Sequence, residues 1–273
     1  MIKRLLVGLA GTPATRAKID TALDIATREG ASLSLLSVID VDRLARVGPV
    51  PVGAGYAARG MAEERARQSR ARAADAIDLF VSEAERAGVP VRVLRAEGDP
   101  FACLGQAWRT HDLCLLGLRG WFDHGVVAEP EGALMRLITQ GVRPILAVPE
   151  TPRPIRKVLV AYNGSMESAK AMKRFCQMRL WPDAAVEVAI VGGEGGEALL
   201  SDAAAYVAEH GYRVSTAQLS GVPERALAEH AEATVADLTV LGSGFRSALL
   251  GKVFGSTTLA LVQASERPLL LSH

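Results

Sequence analysis

"ADLTVLGSGFRSALLGKVFGSTTLALVQASERPLLL", residues 236–271, decides how the rest of the chain is read. A short apolar run meets a glycine turn, and a basic, leucine-containing segment leads to a second glycine followed by hydroxyls. An amphipathic run and a proline then precede a last apolar strand. Runs such as "LTVLG" suit strands of a parallel sheet covered by helices on both faces. The first half carries an altered version, "HDLCLLGLRGWFDHGVVAEPEGA" at residues 111–133, followed by "QGVRPILAVPE" at 140–150.

The openings repeat as well. "KRLLVGLAGTPATRAKIDTALDIA", residues 3–26, matches "RKVLVAYNGSMESAKAMKRFC", residues 156–176. Each has a basic start, an apolar strand, a glycine followed by a hydroxyl residue, and a helix. Ile19, Ala22, Leu23 and Ala26 form an apolar stripe at helical spacing, as do Ala169, Met172 and Cys176. Three matched pairs in one order mark a duplication. The proline-rich "ETPRP" at 150–154 divides the chain into domains 1–149 and 155–273. The interval from Gly11 to Gly117 exceeds that from Gly164 to Gly242. The excess falls in a loop, "GPVPVGAGYAARG" at 48–60, and a long charged helix from Met61 to about Ala87.

Strands are expected near 3–9, 32–39, 90–95, 112–117 and 144–148, then near 156–162, 185–191, 212–218, 237–241 and 268–272. A helix is expected near Glu197–His210. In such sheets ligands favour the crevice beyond the carboxyl ends of the strands, where the strand order switches. The glycine turns after the first and fourth strands fall there.

Composition narrows the function. Of the 273 residues, 49% are apolar and 22% charged, as in a globular protein. Thirty-one Lys plus Arg against 30 Asp plus Glu leave a net charge of +1, which gives no electrostatic case for nucleic acid. The run "RGMAEERARQSRARAAD" has acids among its arginines at helical spacing and reads as a solvated helix face. No apolar run approaches the ~20 residues of a membrane span, and a cytoplasmic protein is expected. Cys103, Cys114 and Cys176 are too scattered for a disulfide framework or thiolate cluster. His111, His124, His210, His230 and His273 form no metal-ligand pair, and His210 and His230 are expected at the surface near helix ends. No catalytic constellation is found: "YNGS" is not a nucleophile elbow, and "GKVFGST" lacks the Lys–Ser/Thr adjacency of a Walker A loop.

These duplicated motifs resemble tandem universal stress proteins over nearly the whole chain. The resemblance implies an α/β fold of two doubly wound, five-stranded parallel-sheet domains of the universal stress protein (adenine nucleotide alpha hydrolase-like) type. Some members bind adenine nucleotides and others bind none detectably. In the binding kind an Asp after the first strand contacts the nucleoside. A Gly-x-x-Gly, nine further residues and Gly-Ser or Gly-Thr hold the phosphates.

In the second domain Leu241 and Gly242 take the start of that motif, and Gly255, Ser256 and Thr257 take its end. Phe245 stands at the second glycine position, with Gly244 beside it. Asn163 stands at the Asp position; its amide can still hydrogen-bond a ribose hydroxyl, without charge. Val191 matches the position lining the adenine. Independently of the resemblance, Ser256 and Thr257 sit where a helix begins, and free N–H groups there attract anions, with Arg246 and Lys252 nearby. They serve equally as an N-cap beside solvated cations. The first domain keeps Gly117 and Gly120, but Ala10 replaces the Asp, Gly132–Ala133 comes too late, and Asp123, Glu129 and Glu131 oppose a phosphate.

The resulting expectation is a non-catalytic protein that binds adenine nucleotide in its second domain, as ATP with Mg²⁺. An interaction scaffold without nucleotide is the alternative, its partner surface in the 48–60 loop and the long helix. A slow ATPase stands third, because no Asp, Glu or His is assignable to orient water. The Pro-led last strands, 144–148 and 268–271, expose sheet edges that invite pairing. They are expected to meet within one chain, leaving a homodimer open.

Overall fold

The computed structural model describes residues 1–9, 15–40, 55–117, 137, 142, 144–192, 195–242, 261 and 265–272. Within them the chain forms two compact units, 2–141 and 142–273.

In the first unit β1 (Arg4–Gly8), β2 (Ser32–Ile39), β3 (Val91–Glu97) and β4 (Leu113–Gly117) lie in the order β3-β2-β1-β4 and pair in parallel. Helices α1 (Thr15–Glu29), α2 (Gly55–Arg86) and α3 (Pro100–Trp108) connect them. The strands β1 and β4 are apolar and buried almost throughout, as strands covered on both faces must be. The α2 helix buries Ser69, Ala73, Ala76, Ile77, Phe80 and Ala84 at helical spacing, and Arg16 of α1 reaches Glu83 of α2 at 3.2 Å. This helix begins at Gly55, so the last residues read as loop in the sequence are helical. Gly60 lies inside the helix, where a side chain would meet nothing within 4 Å.

The second unit holds β5 (Ile145–Val148), β6 (Lys157–Ala161), β7 (Ala185–Val191), β8 (Arg213–Leu219), β9 (Leu238–Gly242) and β10 (Leu269–Ser272) in the order β5-β10-β9-β6-β7-β8. All pairings are parallel except β5–β10, where Leu269 faces Ala147, Leu270 faces Leu146 and Leu271 faces Ile145. The two Pro-led terminal strands therefore cover each other's edges inside this unit. Its helices are α4 (Met166–Met178), α5 (Gly196–Glu209) and α6 (Pro223–Ala233). Tyr212 fixes the far end of α4: its ring stacks on Phe175 at 5.1 Å, and its hydroxyl donates to the Leu180 carbonyl at 2.8 Å.

One device recurs in both units. Just before β4, Asp112 Oδ2 accepts from the backbone N–H groups of Lys3 and Arg4, at 2.8 and 2.9 Å. Just before β9, Asp237 Oδ2 accepts from Arg156 and Lys157 at the same distances. Each carboxylate locks the start of a first strand to the start of a fourth. The "HD" and "AD" of the repeats are structural residues, and their duplication is geometric as well as textual.

Candidate functional site

In the second unit the chain runs from the central strand β6 to β9 on one side and β7 on the other, so the strand order reverses between β6 and β9. This is where a doubly wound sheet opens a crevice. Asn163 follows β6 and Gly242 ends β9. Ser168, in the first turn of α4, joins them. Its hydroxyl accepts from the Asn163 N–H at 3.4 Å, and its backbone N lies 2.6 Å from where a Cβ on Gly242 would stand. That virtual Cβ would also lie 2.7 and 2.8 Å from the carbonyl carbon and oxygen of Glu167. Gly242 thus lets β9 approach the α4 backbone closer than any side chain permits, a packing reason for glycine here.

The turn between β6 and α4 is tightly bonded. Asn163 Oδ1 accepts from the Ser165 N–H at 3.0 Å, and Ser165 Oγ accepts from the Ser168 N–H at 3.2 Å as the N-cap. Gly164 between them takes φ +74° with Leu199 of α5 against it, a conformation suited to glycine. The exposed Asn163 side chain therefore keeps its Nδ2 donors free among the described residues, while its oxygen is committed to the turn. Glu167 places a carboxylate in the first turn of α4, where it complements the helix dipole and opposes a second anion.

Val191 lies one strand away at the half-buried end of β7, in register with Leu219 of β8. Leu241 is buried and pairs with Leu271. The structure brings Asn163 and Gly242 together through Ser168, and Val191 borders the same sheet edge without joining that bonded cluster. Gly244, Phe245, Arg246, Lys252, Gly255, Ser256 and Thr257 lie outside the described residues, as do Ala10, Gly120, Asp123, Glu129, Glu131 and Gly132.

Two further features escape the sequence reading. Lys18 of α1 has no exposed surface, and its ammonium reaches the Gly8 carbonyl at 3.3 Å. Burial lowers its pKa from 10.5 to about 8. Its position one residue before Ile19 and four before Ala22 puts it inside the apolar stripe, which was the available signal. His230 is only partly exposed, and its Nε2 lies 2.7 Å from Glu187 Oε2 on β7. His210 is also partly buried, with Nδ1 2.9 Å from the Tyr206 carbonyl. The partners lie on another element or a turn back, which is why helix-end position alone does not reveal these contacts.

Two of the thiols, Cys114 and Cys176, are buried. Burial holds the Cys114 thiol far above its ordinary range and pushes Cys176 up to about 12. No helix among the described residues is long and apolar enough to cross a membrane.

With this geometry in view, the model of the universal stress protein family matches residues 1–136 and 189–273. The chain belongs to the universal stress protein family. The matched segments contain Val191 and the 241–257 motif but not Asn163. Universal stress protein Slr1230 of Synechocystis sp. is 24% identical over 285 residues, covering 98% of this chain and 99% of that protein. A solved universal stress protein from Archaeoglobus fulgidus superposes with a TM-score of 0.67 at 18% identity, over 99% of this chain and 95% of that one. A universal stress protein solved in complex with cAMP is 25% identical with a TM-score of 0.38, over 44% of this chain and 98% of that one. The two full-length likenesses extend over both copies, so the duplicated fold is that of the family.

Proposed function

We propose that this chain is a cytoplasmic, non-catalytic universal stress protein whose second copy, 155–273, binds an adenine nucleotide, ATP with Mg²⁺, at the carboxyl edge of its sheet. The observation supporting this reading is the convergence of Asn163 and Gly242 on Ser168 at the point of strand reversal. There Asn163 Nδ2 is available to a ribose hydroxyl, and Val191 borders the base. Backbone amides near Gly242, Gly244 and Gly255 take the phosphates, with Ser256, Thr257 and Arg246. The α4 N-terminus contributes little, because Ser165 already caps it and Glu167 repels anions. Mg²⁺ offsets the charge of the triphosphate. Bound ATP persists, since no side chain is assigned to orient a water for attack.

That same capped turn favours a second reading, an interaction scaffold without nucleotide. Asn163 Oδ1 and Ser165 Oγ are already satisfied, and Gly242 has a packing role of its own. Tyr56, 93% exposed, and Met61, 51% exposed, at the start of α2 offer an apolar partner surface.

Calorimetric titration of the full chain with Mg-ATP, AMP and cAMP separates the two. The nucleotide reading expects saturable binding that Gly255→Trp weakens at least tenfold. Binding unchanged by Gly255→Trp refutes this site. No binding, together with no nucleotide released on denaturing purified protein, favours the scaffold.

A further inference from the structure

The first unit contains a cavity of about 320 Å³ between α2 and the strands β2 and β3, on the α2 face of the sheet. This is the small end of the range for small-molecule sites. Ile39, Ala73 and Ile77 give it an apolar wall, and Ser37, Arg70, Arg95 and Glu97 bring polar groups to it. Strand register explains the set. Ser37 pairs with Arg95 and Ile39 with Glu97, so the alternation of the strands points these four to one face.

The polar groups are not equivalent. Arg70 Nη2 donates to Glu97 Oε1 at 3.1 Å, so these two charges answer each other. Arg95 has no carboxylate partner among the described residues, and its guanidinium is left as the net charge of the cavity. The Ser37 residue is 4% exposed, and its hydroxyl makes no hydrogen bond to another described residue. Here it lines open space rather than packed side chains.

The second unit shows the same place filled. By the matching registers, Ile190 stands for Ser37 and Gln218 for Arg95. Helix α5 presses Gly196 onto them, and a Cβ there would meet Gln218 Nε2 at 3.2 Å and Ile190 Cγ2 at 3.5 Å. The fold therefore does not require this cavity. Its polar pair belongs to the first copy.

We infer that the cavity between α2 and β2–β3 binds a small organic monoanion with a hydrocarbon body, such as a medium-chain carboxylate. The carboxylate pairs with Arg95, whose planar donor fork suits two oxygens. The Ser37 hydroxyl donates to it, and the hydrocarbon covers Ile39, Ala73 and Ile77. A bare inorganic anion would leave the apolar wall unused, and a neutral alcohol would leave Arg95 unpaired. This site lies in a different unit from the proposed nucleotide site and stands or falls separately.

The test uses the full chain with methyl-labelled isoleucine and three probes below aggregating concentration: octanoate, 1-octanol and acetate. Octanoate is expected to shift the Ile39 and Ile77 methyl signals saturably and to bind at least tenfold tighter than either other probe. Arg95→Gln changes an exposed side chain and should keep the fold while removing that tenfold advantage. Ala74→Leu, at an exposed lining position on α2, should weaken octanoate by narrowing the mouth. The proposal is overturned if octanoate leaves both methyl signals unmoved, if octanol or acetate binds as tightly, or if Arg95→Gln retains full affinity.

Discussion

Replacing Lys18 with Met should stabilise the protein at neutral pH, and the advantage should fade as pH rises. The Lys18 ammonium is fully buried, and among the described residues its contact is one carbonyl oxygen, Gly8 O at 3.3 Å. Burial disfavours the charged form and lowers the pKa from 10.5 to about 8. Below pH 8 both folded and unfolded chains hold the proton, so the full desolvation cost is present. Between about 8 and 10.5 the unfolded chain binds more protons than the folded one. Stability therefore rises with pH through this window. At 1.36 kcal/mol per pKa unit, the two values correspond to a cost on the order of 3 kcal/mol.

Met keeps the unbranched stem and removes the charge. It also removes the donor to Gly8 O, worth about 1 kcal/mol. The net expectation at pH 7 is stabilisation by about 2 kcal/mol, falling close to zero by pH 10. Urea denaturation of both proteins at pH 7 and pH 10, followed by far-UV circular dichroism, measures it. Subtracting one protein from the other cancels the remaining lysines, tyrosines and thiols. A Lys18→Met protein more than 1 kcal/mol less stable at pH 7 would refute the reasoning. So would a difference that stays constant between the two pH values.

Three other substitutions probe the frames of the two units. Asp112→Ala and Asp237→Ala each leave two strand-start amides without their acceptor, and each should cost about 1–2 kcal/mol in urea unfolding. Their carboxylates make matching bonds at 2.8 and 2.9 Å, so a loss confined to one copy would contradict the shared role. Gly242→Ala drives a methyl to within 2.6–2.8 Å of the α4 backbone and should destabilise by about 1–3 kcal/mol even without ligand. Unchanged stability in ligand-free protein would show that the close approach is not required.

The sequence carried the frame because the frame rests on local, repeated signals. Short apolar runs such as "LCLLG" and "LTVLG" become β4 and β9, and the predicted helix at 197–210 is α5, Gly196–Glu209. Strand ends could be placed because a parallel sheet buries both faces, leaving little ambiguity about where the apolar run stops. The start of α2 was less legible, since Gly55 and Gly60 carry loop signals that neighbouring alanines outweigh. At the site, Asn163 and Gly242 were readable by position, but their meeting at Ser168 was not. That contact depends on β9 lying beside β6, a long-range consequence of strand order. His230 and Glu187 lie 43 positions apart and meet across α6 and β7, so neither alone advertises the pair. The cavity was invisible for a different reason: open space is a failure of packing, and no residue spells it.

The two copies nevertheless differ in a way that single positions do not reveal. Lys18 precedes Ile19 and Ala22 as Ala171 precedes Met172 and Phe175, so a buried cation stands where the second copy has a methyl. Ser37 and Arg95 likewise stand where the second copy has Ile190 and Gln218. Polar substitutions on a solvated surface cost almost nothing. Lys18 and Ser37 are instead buried residues, and the buried Lys18 ammonium, with one carbonyl partner among the described residues, lowers stability. The two sites differ in what they could offer a ligand. Ser37 lines a cavity with Arg95 beside it, so a carboxylate ligand would find two donors there. Lys18 does not line that cavity, and its ammonium meets the Gly8 carbonyl. The copies should therefore respond oppositely to repair: Lys18→Met raises stability with no effect on octanoate, whereas Ser37→Ile, the residue of the second copy, fills the cavity and abolishes octanoate binding.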